Sequence, residues 1–284
     1  MEYFGLTDKG RVRPTNQDIF QIEAREDNRT ALLVVCDGMG GANAGNVASR
    51  FAAERFVEEA KPALETGADE TTRHETLRRA LDRANDTVFG LAGRQPEFRG
   101  MGTTLVGAFV PGRDAVIINV GDSRAYIMSG GTLRQISEDH SYVEEMRRLG
   151  RISEADARSH PQKNLITRAV GVDATVEGDL FEQTLADGDI LLLGSDGLTG
   201  MVEDGKIAEV LAGAGTLEDK GRELLTLALE GGGLGLLDAG WGSDESWAAL
   251  GAGLASIGSS VADVRGILVT HLHFDHLGLA ARVR

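Results

Sequence analysis

Three carboxylates stand in closely similar local settings. The apolar run Ala31 to Cys36 ends on Asp37 and is followed at once by Gly38, Gly40 and Gly41. Asp189 to Gly194, read as DILLLG, runs into Ser195, Asp196 and Gly197 in the same manner. An acid at the mouth of a buried strand, with glycines beside it, brings a carboxylate and main-chain oxygens to one place, an environment that suits Mg²⁺ or Mn²⁺. Asp18 stands before the alternating segment IFQIE and belongs at a third strand mouth. Two cations about 3.5–4 Å apart need several carboxylates to offset their repulsion, and Asp18, Asp37 and Asp196 supply them. Taken singly, each acid has a plainer reading: Asp37 caps a helix that starts near Asn43, and Asp18 is a solvated loop acid. Asp122 interrupts the apolar run AVIINVGDSRAYIM and needs compensation there, so it marks either a bulge at a site or a paired structural carboxylate.

A second cluster lies near the far end of the sequence. His271, His273, Asp275 and His276 follow the strand-like Gly266 to Val269 and include three of the six histidines. In the order His-x-His-x-Asp-His, two imidazoles chelate one borderline cation such as Zn²⁺ while Asp275 and His276 serve a second. His140 and His160 lack ligand-spaced neighbours and read as surface or capping residues. Cys36, inside a predicted strand, reads as a core residue rather than a nucleophile.

The elements that must position these groups are legible from periodicity. Strands are expected at Tyr3 to Leu6, Ile19 to Glu23, Ala31 to Cys36 and Asp189 to Gly194, with a hairpin over 101–128 that continues past Gly121-Asp122. Three-and-four spacing of apolar residues predicts helices over Asn43–Lys61, Thr72–Leu91, Val202–Leu211 and Leu217–Glu230. The charged stretch 137–170, split by Gly150 and Pro161, reads as a surface flap. Forty-four acids against 29 bases give a net charge of −15, which argues against nucleic acid or an anionic membrane as the main partner. No run approaches a membrane span, the start lacks the apolar core of a signal peptide, and a lone cysteine fits a reducing cytoplasm, where the protein is expected.

The segments TDKGRVRPTNQD, VVCDGMGGANAGNVAS, GMGTTL, NVGDSRAY, EDHSYVEEMRRLGRIS, NLITRAVG and LLLGSDGLTGMV occur in that order over about residues 1–232. Together they resemble the metal-dependent Ser/Thr protein phosphatases of the protein phosphatase 2C, or PPM, type in their bacterial form. The resemblance implies an α+β fold, a four-layer αββα sandwich of two antiparallel sheets flanked by helices, with a dinuclear Mn²⁺ or Mg²⁺ centre at one end. It implies that Asp37 bridges the metals, that Asp18, Asp196 and the Gly38 carbonyl complete their protein ligands, and that Arg13 holds the substrate phosphate. Asp122 would serve a third, more weakly held metal, although Gly200 stands where some relatives place a second acid for it. The implied substrates are phosphoproteins made by a Ser/Thr kinase. The implied reaction is attack of a metal-bridging hydroxide on phosphoserine or phosphothreonine, without a covalent intermediate.

The pattern then breaks. Relatives carry Gly-Gly-x-Asp-Asn after the last helix, with the Asp a metal ligand, whereas this chain reads EGGGLGLLDAGW. Leu234 or Gly235 takes the ligand's place, and Asp238 comes several residues late. Residues 1–232 are therefore expected to form a phosphatase domain lacking its last ligand segment and strand. Residues 233–284 resemble the opening of a metallo-β-lactamase-fold hydrolase, forming an atypical C-terminal appendage rather than an independent domain. The expectation is a phosphatase impaired by the missing Asp. One alternative is an inactive pseudophosphatase that binds phosphoproteins. The other is a zinc hydrolase of the metallo-β-lactamase type, for which the third His and second half of that fold are missing. Whether Leu234–Leu237 or Ile267–Val269 replaces the lost strand is left to the structure.

Overall fold

The computed structural model describes residues 1–41, 44–66, 70–231, 234–237, 243–256, 261 and 264–268. It divides into two compact units, Met1–Ala228 and Leu229–Arg284.

In the first unit, β1 (Asp18–Ala24) and β2 (Thr30–Met39) form an antiparallel hairpin, joined by β4 (Leu105–Pro111), β5 (Asp114–Val120) and β8 (Asp179–Thr184) in the order β1-β2-β4-β5-β8. The short β3 (Gly102–Thr103) pairs with the far end of β2. A second antiparallel sheet runs β7-β6-β9, from Thr132–Gln135, Arg124–Ser129 and Ile190–Gly194. Helices α1 (Ala44–Ala60) and α3 (Glu70–Arg94), with the one-turn α2 (Ala63–Thr66) between them, cover the first sheet. Beyond the flap helices α4 (Tyr142–Arg148) and α5 (Glu154–Ser159) and the one-turn α6 (Asp196–Thr199), α7 (Asp204–Ala212) and α8 (Leu217–Gly231) cover the second sheet.

The period of two along each strand explains the four layers. In β2, Leu32, Val34 and Cys36 pack toward α1 and α3, whereas Leu33 and Val35 pack between the sheets. In β9, Leu191 and Leu193 face the gap between sheets while Ile190 and Leu192 face α7 and α8. Strands that are apolar on both faces are thus consumed by two cores at once, which is why β4 and β5 read as nearly unbroken apolar runs.

Two expectations are corrected. Tyr3–Leu6 is not a strand: Phe4 lies on Gly221 and Gly5 on the Phe20 ring, so face contacts rather than a ladder hold this segment. The hairpin expected over 101–128 forms between β4 and β5, but its second strand does not continue past Gly121-Asp122: β5 stays in the first sheet and β6 begins the second. The crossing is made at Gly121, whose φ of +102 and close approach to the Thr104 side chain both require glycine. Asp122 therefore lies in a sheet-to-sheet turn rather than within a strand.

The second unit contains β10 (Leu234–Leu237), α9 (Asp244–Ser256) and β11 (Val264–Leu268), with β10 and β11 paired in parallel as their own two-stranded sheet. Among the described residues neither β10 nor β11 pairs with a strand of the first unit and β9 pairs only with β6; Val269 lies outside the described residues. His271, His273, Asp275 and His276, like Asp238, lie outside the described residues. No helix among the described residues is long and apolar enough to cross a membrane.

Candidate metal centre

The β1–β2 register sets Asp18 directly opposite Asp37. Paired residues of an antiparallel ladder have Cα atoms about 4.5–5.5 Å apart, so the hairpin alone fixes two of the three acids as neighbours. The third comes from the other sheet. Where β9 ends, Ser195 donates its hydroxyl to Asp18 Oδ2 at 2.6 Å, and Asp196 opens α6 beside it. The carboxyl of Asp37 lies within hydrogen-bonding reach of both Asp18 and Asp196.

Burial, then the charges of Asp18 and Asp196, push the Asp37 carboxyl up to about 10. Asp18 is also raised, because burial outweighs the hydrogen bond from Ser195 and the more distant attraction of Arg13. Burial, followed by Asp196 and Asp139, pushes Asp122 up to about 7. Burial and the neighbouring Asp37 push the Cys36 thiol up, so it is no nucleophile. Nothing among the main influences on Asp37 lowers it, and the exposed Arg13, acting on Asp18, offsets only part of the cluster's charge deficit.

That deficit and an all-oxygen donor set fit hard divalent cations. Among the described residues no three His, Cys, Asp or Glu side chains are grouped so that they could hold a metal ion as they stand. The acids are instead held against one another and Ser195, so a cation must part these contacts and compete with the proton that burial favours on Asp37.

Several groups that the sequence reading left without a role hold this cluster in place. Asp37 is gripped through its backbone: its N–H donates to Thr104 Oγ1 at 2.9 Å, and its carbonyl accepts from Thr103 Oγ1 at 2.8 Å and Thr104 N at 2.9 Å. Thr104 Oγ1 lies 2.7 Å from Ser123 Oγ, tying Asp37 to the turn that bears Asp122. Gly38 and Gly45 touch backbone to backbone, since a Cβ on Gly38 would lie 1.9 Å from the Gly45 carbonyl oxygen. The Gly38 carbonyl faces Gly45 in turn, 2.7 Å from where a Cβ would stand.

His140 corrects the expectation of a surface residue. It is buried, accepts the Gly121 N–H on Nδ1 at 3.1 Å, and places Nε2 3.1 Å from Asp179 Oδ2. A nitrogen that accepts carries no proton, so this pairing sets the tautomer with the proton on Nε2. The ring therefore pins the turn that presents Asp122. Nearby, Arg124 makes a forked pair with the nearly buried Asp139, fastening the flap's first residues to β6.

Arg13 is exposed, donates to Gln17 Oε1 at 3.0 Å and contributes a favourable charge to Asp18, so it borders the acids from the loop side. A cleft of about 630 Å³ opens beside the cluster, lined by Asp122, Asp196 and Gly200 and, across it, by Arg147, Arg158 and Lys163 of the flap.

A fold of two stacked antiparallel sheets between helices, with three acids meeting at their rim, defines a metal-dependent phosphatase of the PPM architecture. The family model for protein phosphatase 2C matches residues 11–224, and the chain belongs to that family. A second family model, the metallo-beta-lactamase superfamily, matches residues 224–284. The chain is 42% identical over 229 residues to the serine/threonine phosphatase stp of Listeria monocytogenes, covering 80% of this chain and 89% of that one. The crystal structure of the serine/threonine phosphatase Stp1 from Staphylococcus aureus aligns with a TM-score of 0.72 at 40% identity, over 80% of this chain and 88% of that one. The catalytic domain of the serine/threonine protein phosphatase PstP, solved in complex with 2 manganese ions, aligns at 0.67 and 33% identity, over 79% and 90%.

Proposed function

We propose that this protein removes phosphate from phosphoserine and phosphothreonine in proteins, at the rim where Asp18, Asp37 and Asp196 meet. The observation that carries the reading is the buried three-acid cluster, with an arginine at its margin and an open cleft beside it. Asp37, flanked by both other acids, would hold Mn²⁺ or Mg²⁺ together with Asp18, Asp196 and the Gly38 carbonyl. Asp122, which feels Asp196, is suited to a third, weaker site. When bound, the cations supply Lewis acidity that lowers the pKa of water and screens the phosphoryl oxygens.

The chain's own residues do the rest. Arg13 offers a planar fork to two phosphoryl oxygens, and its hydrogen bond to Gln17 steadies that fork before substrate arrives. Ser195 fixes the orientation of the Asp18 carboxyl, and Thr103 and Thr104 hold the Asp37 backbone, so the acids need not reorganise during the reaction. On the flap side of the cleft Arg147 and Arg158 are held by Glu144 and Glu154, which leaves Lys163 to attract the phosphorylated segment into a protein whose net charge would otherwise repel it. Substrates are proposed to be proteins phosphorylated by a Ser/Thr kinase.

Because no Asp-Asn follows the glycines at 231–233, we further propose that turnover is slower than a complete ligand set allows. A second reading, a phosphoprotein binder without turnover, is favoured by the same missing Asp-Asn after the glycines. Manganese-dependent hydrolysis of p-nitrophenyl phosphate, lost in Asp37→Ala, supports the enzyme. Background rates in both proteins, with phosphopeptide binding retained, leave the binder.

A further inference from the structure

A hollow of about 500 Å³ lies at the C-terminal end of α3, outside the metal centre, and nothing in the proposed reaction uses it. Its rim carries Arg94, in the last turn of α3, and Arg99, which closes the 3₁₀ turn Pro96–Phe98. Both guanidinium side chains are exposed, and among the described residues neither forms an ion pair. Its walls include Phe89 and Val172, large apolar side chains left 40% and 48% exposed. The acidic end of the α3 dipole accounts for one arginine at that position but not for the second, nor for the apolar wall between them.

The hollow is close to the acids along the chain. Arg99 is followed by Gly100 and Met101, then by β3, whose Gly102 and Thr103 pair with Met39 and Gly38 next to Asp37. Four Cα–Cα steps of 3.80 Å place the Arg99 backbone no more than ~15 Å from that of Thr103. An extended peptide rising about 3.3 Å per residue covers that distance in four or five residues.

We propose that this hollow is a docking subsite for an acidic segment of the phosphoprotein substrate, in which Arg94 and Arg99 pair with an Asp or Glu side chain up to about five residues from the phosphorylated one. The inference rests on the phosphatase reading only in taking the phosphoresidue to the three-acid rim. Charge complementarity selects the occupant. A chain of net charge −15 repels acidic peptides over most of its surface, so two free guanidinium groups over an apolar wall form a local exception.

The test uses the full chain loaded with Mn²⁺ and fluorescein-labelled phosphothreonine peptides with either neutral flanks or one Glu placed two to five residues away. Fluorescence anisotropy should show the best Glu peptide binding about fivefold more tightly than the neutral one, with the preference weakening as salt is raised. In the double variant Arg94→Gln/Arg99→Gln, whose folding is checked by thermal melting, that preference should vanish. In turnover the same variant should raise KM for the Glu peptide by a similar factor with kcat unchanged. Equal affinities in the parent protein, or a preference that survives both substitutions, would overturn the proposal. So would loss of a parent dimer in the variant by light scattering, which would assign the hollow to a second copy's acidic face. Because binding is read separately from hydrolysis, absent turnover with an intact Glu preference would remove the enzyme reading and leave the subsite standing.

Discussion

Met1–Ala228 and Leu229–Arg284 each carry a motif rich in metal-ligating residue types, yet they are built by opposite means. In the first unit the acids come from distant points of the chain and are brought together by sheet register and stacking: Ser195 reaches Asp18 across 177 positions. In the second, His271, His273, Asp275 and His276 are adjacent in sequence, and the described elements amount to a single strand–helix–strand crossover. Parallel strands need a crossover of that kind, and they are normally buried on both faces by further layers. A pair of strands of four and five residues with one 13-residue helix does not supply such layers. The difference teaches that local ligand spacing is easy to read but weakly supported, whereas a site assembled by long-range register is supported wherever the cores are.

The largest expected effect is on activity. Asp37→Ala should lower manganese-dependent p-nitrophenyl phosphate hydrolysis by at least about a thousandfold, the scale of losing a directly acting electrostatic group. His271→Ala/His273→Ala should leave it within about twofold. A comparable loss in the histidine variant would break the contrast between the units. On stability, Phe56→Ala removes a fully buried ring from the core beneath α1 and should cost about 3–5 kcal/mol by urea denaturation. Leu254→Ala, in α9, should leave that main transition in place.

The acid cluster makes a pH prediction with a definite sign. The Asp37 carboxyl is raised from 3.8 to about 10 in the folded, metal-free protein, so the folded state keeps a proton that the unfolded chain releases. Its contribution is fully present below about pH 4 and is lost as pH rises toward 10. Metal-free protein should therefore lose stability across that window, by no more than about 1.4 kcal/mol per pH unit for one proton. Saturating Mn²⁺ should flatten the slope, as thermal melting with and without a chelator will show. A flat profile without metal would mean that the acids do not feel one another. Ser195→Ala should weaken Mn²⁺ activation about tenfold by releasing Asp18, read from the metal dependence of the rate.

Much of the sandwich was legible in the sequence because β2, β4, β5 and β9 serve two cores and so appear as apolar runs ended by glycine or acid. Asp18, Asp37 and Asp196 stood out for the same reason: a carboxylate at the end of such a run is chemically out of place. The residues that hold them did not stand out. Thr103, Thr104, Ser123 and Ser195 are of common type, and their importance lies in partners such as Asp37, 67 positions away from Thr104. His140 was misread because nothing near it in sequence shows that Gly121 and Asp179 would enclose it. Tyr3–Leu6, YFGL, carried the aromatic and apolar types of an edge strand, but residue type says nothing of whether another backbone lies alongside.

The one-sided pairing of β9 has a practical consequence for handling the purified molecule. Among the described residues no strand pairs with the outer edge of β9, and amide and carbonyl groups left free there beside three leucines are a template on which another chain can lay down its own backbone. Samples kept concentrated and warm should lose soluble material through growth of intermolecular ladders, at a pace set by protein concentration. A lysine introduced on the outer rim of that strand would slow the loss without touching the acids.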